Sequence, residues 1–240
     1  MKIAIVGYGK MGKTIEKLAT ARGHEIVMKI SSKNLEEFTL EKLNSTSIDV
    51  AIEFTNPHSA FKNITTCFKA GIKVVSGSTA WLDQWDDALE IMEQNHGAFI
   101  YASNFSVGVN VFFAINEHLA QMMNPLLEYD VEMTEIHHTA KVDAPSGTAV
   151  TLAQGIIKNM DRKTSWVKEK EPLEDELLIK SIRQDPAPGT HQITYTSSID
   201  EIEITHTAKN RNGFALGAIL AAEYLSDKKG LHTMKNVLGL

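Results

Sequence analysis

The chain has a single cysteine, Cys67, in 240 residues. No internal disulfide is possible, which fits a reducing compartment. No run approaches the roughly 18 apolar residues expected of a membrane-crossing helix. The opening Met1-Lys2-Ile3-Ala4-Ile5-Val6 meets glycine too soon for a secretory signal. Positive charge is in deficit: 24 Lys and Arg against 30 Asp and Glu give a formal net charge of -6. That excludes a global basic field for nucleic acid or an anionic membrane, so an anionic substrate would have to find its cations locally. There are no internal repeats and no low-complexity tract. The expectation is a cytoplasmic protein with neither nucleic acid nor membrane as partner.

What remains is ordinary globular composition, 43% hydrophobic and 22% charged, in a chain long enough for one large or two modest domains. The first hundred residues alternate strand and helix patterns. Strands are expected at Lys2–Val6, His24–Ile30, Ile48–Phe54, Lys73–Val75 and Ala98–Ala102. Helices are expected after Gly12, from Pro57 and around Leu82–Gln94. Such alternation implies βαβ units on a parallel sheet. The second half differs. Helices are expected at Val107–Met123 and Gly147–Met160, and strands at Tyr129–His138, Leu178–Arg183, His191–Ser198 and Glu201–Ala208. Lys168–Glu176 reads as an exposed loop. The strands gather into an α+β unit, and a last helix, Gly213–Leu225, is expected to pack back on the first.

Gly7-Tyr8-Gly9-Lys10-Met11-Gly12 lies directly between the first strand and its helix, the context a dinucleotide loop requires. The first glycine permits the tight turn, the second close approach to a pyrophosphate, and the third tight helix-on-strand packing. Read alone, the loop also fits a strand-to-helix turn with no ligand. The second strand ends Lys29-Ile30-Ser31-Ser32-Lys33, without the carboxylate that would grip both ribose hydroxyls. Ser32 and Lys33 suit a 2′-phosphate instead, so NADPH is expected to serve at least as well as NADH. The alternative is that Lys33 is a solvated loop residue.

The densest chemistry is Glu135-Ile136-His137-His138-Thr139-Ala140-Lys141-Val142-Asp143-Ala144-Pro145-Ser146-Gly147-Thr148-Ala149. A strand ends in two histidines, of which only one shares a face with Glu135. Ser146 is a plausible helix cap, and the Gly147 and Thr148 amides can hold a carboxylate. Imidazole and ammonium nearby can donate protons. A structural pair of histidines at a strand end would look the same. A metal site is not expected, because adjacent histidines cannot easily share one ion and no Cys/His pair has zinc spacing.

This segment resembles the signature of the 4-hydroxy-tetrahydrodipicolinate reductase (dihydrodipicolinate reductase) family, Glu-x-His-His-x-x-Lys-x-Asp-Ala-Pro-Ser-Gly-Thr-Ala, at every fixed position. Phe54-Thr55-Asn56-Pro57, Gly77-Ser78-Thr79, Ala102 to Asn110, and Thr205-His206 through Arg211 to Ala218 are similar to further family motifs. The resemblance implies a Rossmann-type parallel sheet with helices on both faces, and a smaller α+β domain for substrate binding and oligomerisation. It divides the chain into residues 1–106 with 212–240, and 107–211. It implies NADPH and/or NADH as cofactor and a small dicarboxylate as substrate. The implied reaction reduces 4-hydroxy-tetrahydrodipicolinate to tetrahydrodipicolinate with loss of water, in lysine and diaminopimelate biosynthesis, by a homotetramer. It assigns acid/base work to His137, proton donation to Lys141, and substrate contact to His138, Gly147 and Thr148. Cofactor contact falls to Gly7 through Gly12, to Gly77, Ser78 and Thr79, and to Ala102, Ser103, Asn104 and Phe105. Domain closure is expected about Ser103–Val107 and Arg211–Gly213.

There are departures. Many relatives have one more residue in the glycine loop. Lys10 stands where Arg is frequent, Ala80 where Gly is frequent, and Trp81 where Phe is frequent. The chain is also shorter before residue 73. The rival readings are a related amino-acid dehydrogenase, such as an aspartate dehydrogenase, and a silent NADPH-binding sensor.

Overall fold

A computed structural model describes residues 1–240. The chain divides into two compact units, residues 1–107 with 211–240, and residues 108–210. No helix is long and apolar enough to cross a membrane.

The first unit is built from β1 (Lys2–Val6), α1 (Lys10–Ala21), β2 (Glu25–Ile30), α2 (Leu40–Ser45), β3 (Val50–Glu53), α3 (Pro57–Lys69), β4 (Lys73–Ser76), α4 (Trp85–Gln94) and β5 (Ala98–Tyr101). The second unit follows with α5 (Val107–Met123), β6 (Asp130–His137), α6 (Gly147–Asn159), β7 (Ser165–Lys168), β8 (Glu176–Arg183), β9 (Thr190–Thr196) and β10 (Glu201–Thr207). The chain then adds α7 (Asn212–Leu225), β11 (Gly230–His232) and α8 (Met234–Leu238) to the first unit.

In the first unit the sheet order is β11-β5-β4-β3-β1-β2, and every pair is parallel. Alternation along β1 sends Ile3 and Ile5 to one face and Ala4 and Val6 to the other, and all four are buried. Ile3 and Ile5 pack with Ile15 of α1 and the small side chains Ala215, Ala218 and Ala222 of α7. Ala4 and Val6 pack with Ala60, Ile64 and Phe68 of α3. A parallel sheet covered on both faces needs such strands. The sheet reverses its order of addition between β1 and β3, the crevice where open α/β sheets take ligands at strand C-termini.

The second sheet is mixed, in the order β10-β9-β6-β8-β7. β6 is antiparallel to β9 and parallel to β8. Its core face begins apolar, with Val131 and Met133 packed against Leu152 and Ile156 of α6. The same period-two row then ends in Glu135 and His137, both buried. One strand thus runs from hydrophobic core into ionisable chemistry. Asn116 of α5 donates to the Leu152 carbonyl at 2.9 Å and ties α5 to α6.

The α/β class with a second α+β unit is as expected from the sequence; that the second sheet is mixed comes from the structure. Four short elements were not anticipated: α2, β7, β11 and α8. Ser165–Lys168 lies just before the segment read as an exposed loop and forms the edge strand of the second sheet. Three or four residues carry too little pattern to announce a strand; a ladder partner makes it one.

Candidate active site

Gly7 turns the chain out of β1 with φ +101°, and a Cβ there would lie 2.0 Å from the Phe54 carbonyl oxygen. At Gly12 a Cβ would meet the Gly7 carbonyl oxygen at 2.6 Å. At Gly9 it would meet nothing within 4 Å. Two glycines are therefore dictated by packing, while the middle one faces open space. Gly9 also caps α1 without any side chain, so the helix end can receive a phosphate. Beside the loop lies a cavity of about 320 Å³ bordered by Gly7, Gly9, Ser31, Ser32, Thr55 and Asn56. The loop and cavity fit a dinucleotide. Tyr8 also borders the cavity. Its hydroxyl donates to Glu16, which accepts from Lys29 at 3.1 Å. Lys10 is exposed, whereas the Met11 side chain packs toward the core. Lys33 is exposed and does not border the cavity.

The next strand ends converge on a residue not singled out from sequence. Glu53, 1% exposed, closes β3. Its carboxylate accepts from the Thr55 amide at 3.1 Å, Ser76 Oγ at 2.6 Å, Ser78 Oγ at 2.8 Å and the Thr55 hydroxyl. It pins the turn after β3 to the Gly77-Ser78-Thr79 segment after β4. Gly77 is forced as well, since a Cβ would lie 2.2 Å from the Phe54 ring. After β5, Ala102 donates its amide to the Ser76 carbonyl at 3.2 Å. Ser103 is exposed, and Asn104 accepts from the Ser106 amide at 2.9 Å. The Phe105 side chain is buried against Phe54, 5.8 Å between centroids, so it acts in the core rather than on a ligand.

In the second unit the ladder places Glu135 opposite both Ser181 and His191, and His137 opposite Arg183. Glu135 accepts from the Ser146 amide at 3.0 and 3.1 Å, Ser181 Oγ at 2.8 Å and Arg183 at 3.2 Å. Its carboxylate lies 3.4 Å from His137 Nδ1. The two imidazoles of His137 and His191 meet edge to face at 5.1 Å. Ser146 caps α6 by accepting from the Ala149 amide, and its hydroxyl also contacts His191 Nε2 at 3.2 Å. Gly147 is the first residue of α6, exposed, and a Cβ there would meet nothing within 4 Å. Thr148 follows it. Lys141 is half-buried and holds Asp143 at 2.7 Å. His138 lies just past β6, half-buried.

Charge is tuned by these neighbours. Burial by itself raises the Glu135 carboxyl, but hydrogen bonds from Ser146, Ser181 and Arg183 outweigh it and hold the group below the usual carboxylate range. Burial pushes the His137 imidazole down; Glu135 pulls it back, and Lys141 and Arg183 push it down further. His191 is pushed down to about 4, chiefly by burial and then by His137. Glu135, His137 and His191 bring donor atoms within 4.8 Å of one another, a set that residue spacing did not announce. The Arg183 guanidinium already occupies that carboxylate, so the cluster has its cation built in. Ser181, Arg183 and His191 were all missed from sequence. His191, Ile193 and Tyr195 share the buried face of β9, so alternation could have placed His191 inward but not beside Glu135.

Known proteins match both halves. Residues 1–105 match the dihydrodipicolinate reductase N-terminus, and residues 108–238 the dihydrodipicolinate reductase C-terminus. The chain belongs to the dihydrodipicolinate reductase family. It is 55% identical over 238 residues to a 4-hydroxy-tetrahydrodipicolinate reductase of Christiangramia forsetii, covering 99% of this chain and 98% of that one. A protein of the same name from Archaeoglobus fulgidus is 33% identical, covering 99% and 100%. Among solved structures, a dipicolinate-bound dihydrodipicolinate reductase from a Paenisporosarcina species superposes with TM-score 0.78 at 26% identity, covering 97% of each chain. An amine dehydrogenase from Mycobacterium smegmatis (TM-score 0.61, 10% identity, covering 98% of this chain and 95% of that one) shares the fold alone. As a dihydrodipicolinate reductase family member the chain is an NAD(P)H-dependent oxidoreductase.

Two departures from the dihydrodipicolinate reductase pattern now have physical content. Ala80 has φ +59°, a left-handed conformation costing a non-glycine residue about 1 kcal/mol, which explains why Gly suits that position. Trp81 is buried and donates its indole N–H to the Ser78 carbonyl at 2.8 Å. A phenylalanine could not make that bond, so the indole steadies the strained segment it follows.

Proposed function

We propose that this chain reduces 4-hydroxy-tetrahydrodipicolinate to tetrahydrodipicolinate with loss of water, in lysine and diaminopimelate biosynthesis. The observation that carries the chemistry is the end of β6, where His137 sits among two carboxylates and two cations, beside the open N-terminus of α6. The dipicolinate held by the Paenisporosarcina enzyme supports a small planar dicarboxylate as ligand.

In this reading residues 1–106 with 212–240 form the dinucleotide-binding domain, and residues 107–211 bind substrate. Gly7 through Gly12, Gly77 to Thr79 and Ala102 to Asn104 hold NADPH or NADH, which when bound supplies the hydride. Gly147 and Thr148 grip one substrate carboxylate at the helix end, where the dipole favours an anion. His138 gives a further substrate contact. Loss of the hydroxyl as water leaves a carbon–carbon double bond in the ring; hydride adds to one of its carbons, and His137 and Lys141 supply the proton taken up by the other. Holding the substrate still is itself worth several kcal/mol of the barrier. No carboxylate borders the dinucleotide cavity, and Ser31 and Ser32 do, which supports NADPH serving at least as well as NADH. The working assembly in this reading is a cytoplasmic homotetramer.

The test is NADPH and NADH oxidation on adding freshly formed 4-hydroxy-tetrahydrodipicolinate. One equivalent of tetrahydrodipicolinate per dinucleotide oxidised is expected. Binding of reduced dinucleotide without any oxidation would overturn the reading.

A further inference from the structure

Glu135 is fully buried, and the mechanism above gives it no task. It nevertheless touches three parts of the site. The Ser146 amide ties it to the start of α6. Arg183 ties it to the lysine-bearing loop, since the same guanidinium nitrogen also donates to the Asp143 carbonyl at 2.6 Å. Its oxygen lies 3.4 Å from His137 Nδ1, a buried nitrogen that makes no hydrogen bond. The other ring nitrogen faces Gly189, where a Cβ would come within 3.1 Å of Nε2. A side chain at Gly189 would crowd that atom; the glycine leaves room beside it.

The charged and titratable groups facing His137 come from every neighbouring element. β6 offers Glu135, β8 offers Arg183, β9 offers His191, and the loop before α6 offers Lys141 and Asp143. His206 of β10 lies beyond and acts on His191. Two of these neighbours, Lys141 and Arg183, bring positive charge to it. Asp143 is exposed and engaged by Lys141. Glu135 is therefore the one buried anion available to a protonated His137.

We propose that Glu135 is the positioning residue of this site: it turns His137 Nδ1 toward its carboxylate, leaves Nε2 to exchange the proton with substrate, and locks the α6 carboxylate grip to the same group. A carboxylate that accepts from Nδ1–H fixes the tautomer in which Nε2 carries the lone pair when neutral and the proton when charged. Without that anion, the cations and burial leave the imidazolium unsupported. The inference rests on the proposed reductase reading, because it assigns the proton exchanged at Nε2 to that reaction.

The experiment compares wild type, Glu135→Gln and Glu135→Asp in pH profiles of kcat and of kcat/KM. Glu135→Gln is expected to lower kcat by about tenfold or more, less than the roughly 10²–10⁴-fold that a general acid itself contributes. It should leave the KM for NADPH within about twofold, because the dinucleotide residues belong to the other unit. The alkaline limb should move to lower pH, since an imidazole without its anion gives up its proton earlier. Glu135→Asp should return the limb toward wild type. Nitrogen-15 NMR of the His137 ring, in free wild-type protein at a pH where the ring is neutral, should show the Nδ1–H tautomer. An unmoved pH limb with near-normal kcat in Glu135→Gln overturns the proposal, as does an Nε2–H tautomer in wild type. Should Glu135→Gln fail to fold, the tautomer alone decides. A wild type that oxidises no NAD(P)H would sink the reductase reading, whereas the tautomer, read without substrate, would still judge the positioning role.

Discussion

Each unit buries one carboxylate where a sheet strand ends, Glu53 in the parallel sheet and Glu135 in the mixed one. Both are wrapped in hydroxyl and amide donors. Glu53 has no cation among its partners: Thr55, Ser76 and Ser78 surround it. Glu135 has Arg183 and two imidazoles as well. The difference separates two uses of the same group. A buried carboxylate satisfied by neutral donors fixes loop geometry and exchanges no charge with its surroundings. One placed among cations and imidazoles sets a local field and decides who holds a proton. The first unit thus needs rigidity at its strand ends, and the second needs electrostatics.

A glycine from each motif shows the same contrast, and it yields the largest expected effect. Gly7 is crowded at positive φ, whereas Gly147 is open. Gly7→Ala should cost about 3 kcal/mol or more, from the steric clash and the left-handed backbone, and should abolish NADPH binding. Gly147→Ala should leave stability within about 0.5 kcal/mol. Denaturant melts of both variants would measure this, and equal losses would break the contrast.

Acid should find the second unit first. His191 binds a proton near pH 6.5 when unfolded but only near about 4 when folded. Between those values the unfolded state holds more protons, so stability present above pH 6.5 is lost as pH falls toward 4, by about 3 kcal/mol in total. Hydrogen exchange against pH should show β6 and β9 losing protection before β1 and β3. In His191→Gln that early loss should shrink. Loss of both sheets together in wild type would contradict the separation.

Glu53→Gln puts an amide among donors and should cost about 1–3 kcal/mol. Its kinetic effect should be a raised KM for NADPH with the pH limb of kcat unmoved, the reverse of the pattern expected at Glu135. Smallest is Lys33→Ala, which should change the NADPH-to-NADH ratio of kcat/KM by only a few-fold, because an exposed ammonium outside the cavity acts through screened charge. A drop of a hundredfold for NADPH alone would make Lys33 a direct phosphate ligand.

The fold was legible where pattern is long or punctuated. β1 with its glycines, Pro57 opening α3, and the full span of the largely apolar α5 were read directly. The row Val131, Met133, Glu135, His137 was legible too, because period two is a property of one strand. The partners of that row were not. Ser181, Arg183 and His191 reach Glu135 through pairings between strands more than 40 residues apart in sequence, and register of that kind is set by packing rather than by local preference. Glu53 was hidden for a related reason. It ends an apolar strand as a charged residue often does, and only the neighbouring strand end, with Ser76 and Ser78, makes it a buried hub. Ala80 was noticed as a departure, but its left-handed backbone is a fact of the folded segment.

The division of labour is tested most directly by measuring, in one preparation each of wild type, His137→Ala and Lys141→Ala, both NADPH affinity and turnover of 4-hydroxy-tetrahydrodipicolinate. The account predicts that both variants bind NADPH with wild-type Kd and lose kcat by about 10²–10⁴-fold, the usual contribution of a positioned acid. Near-normal turnover in both variants would contradict it, as would a loss of NADPH affinity that accounts for the lost rate.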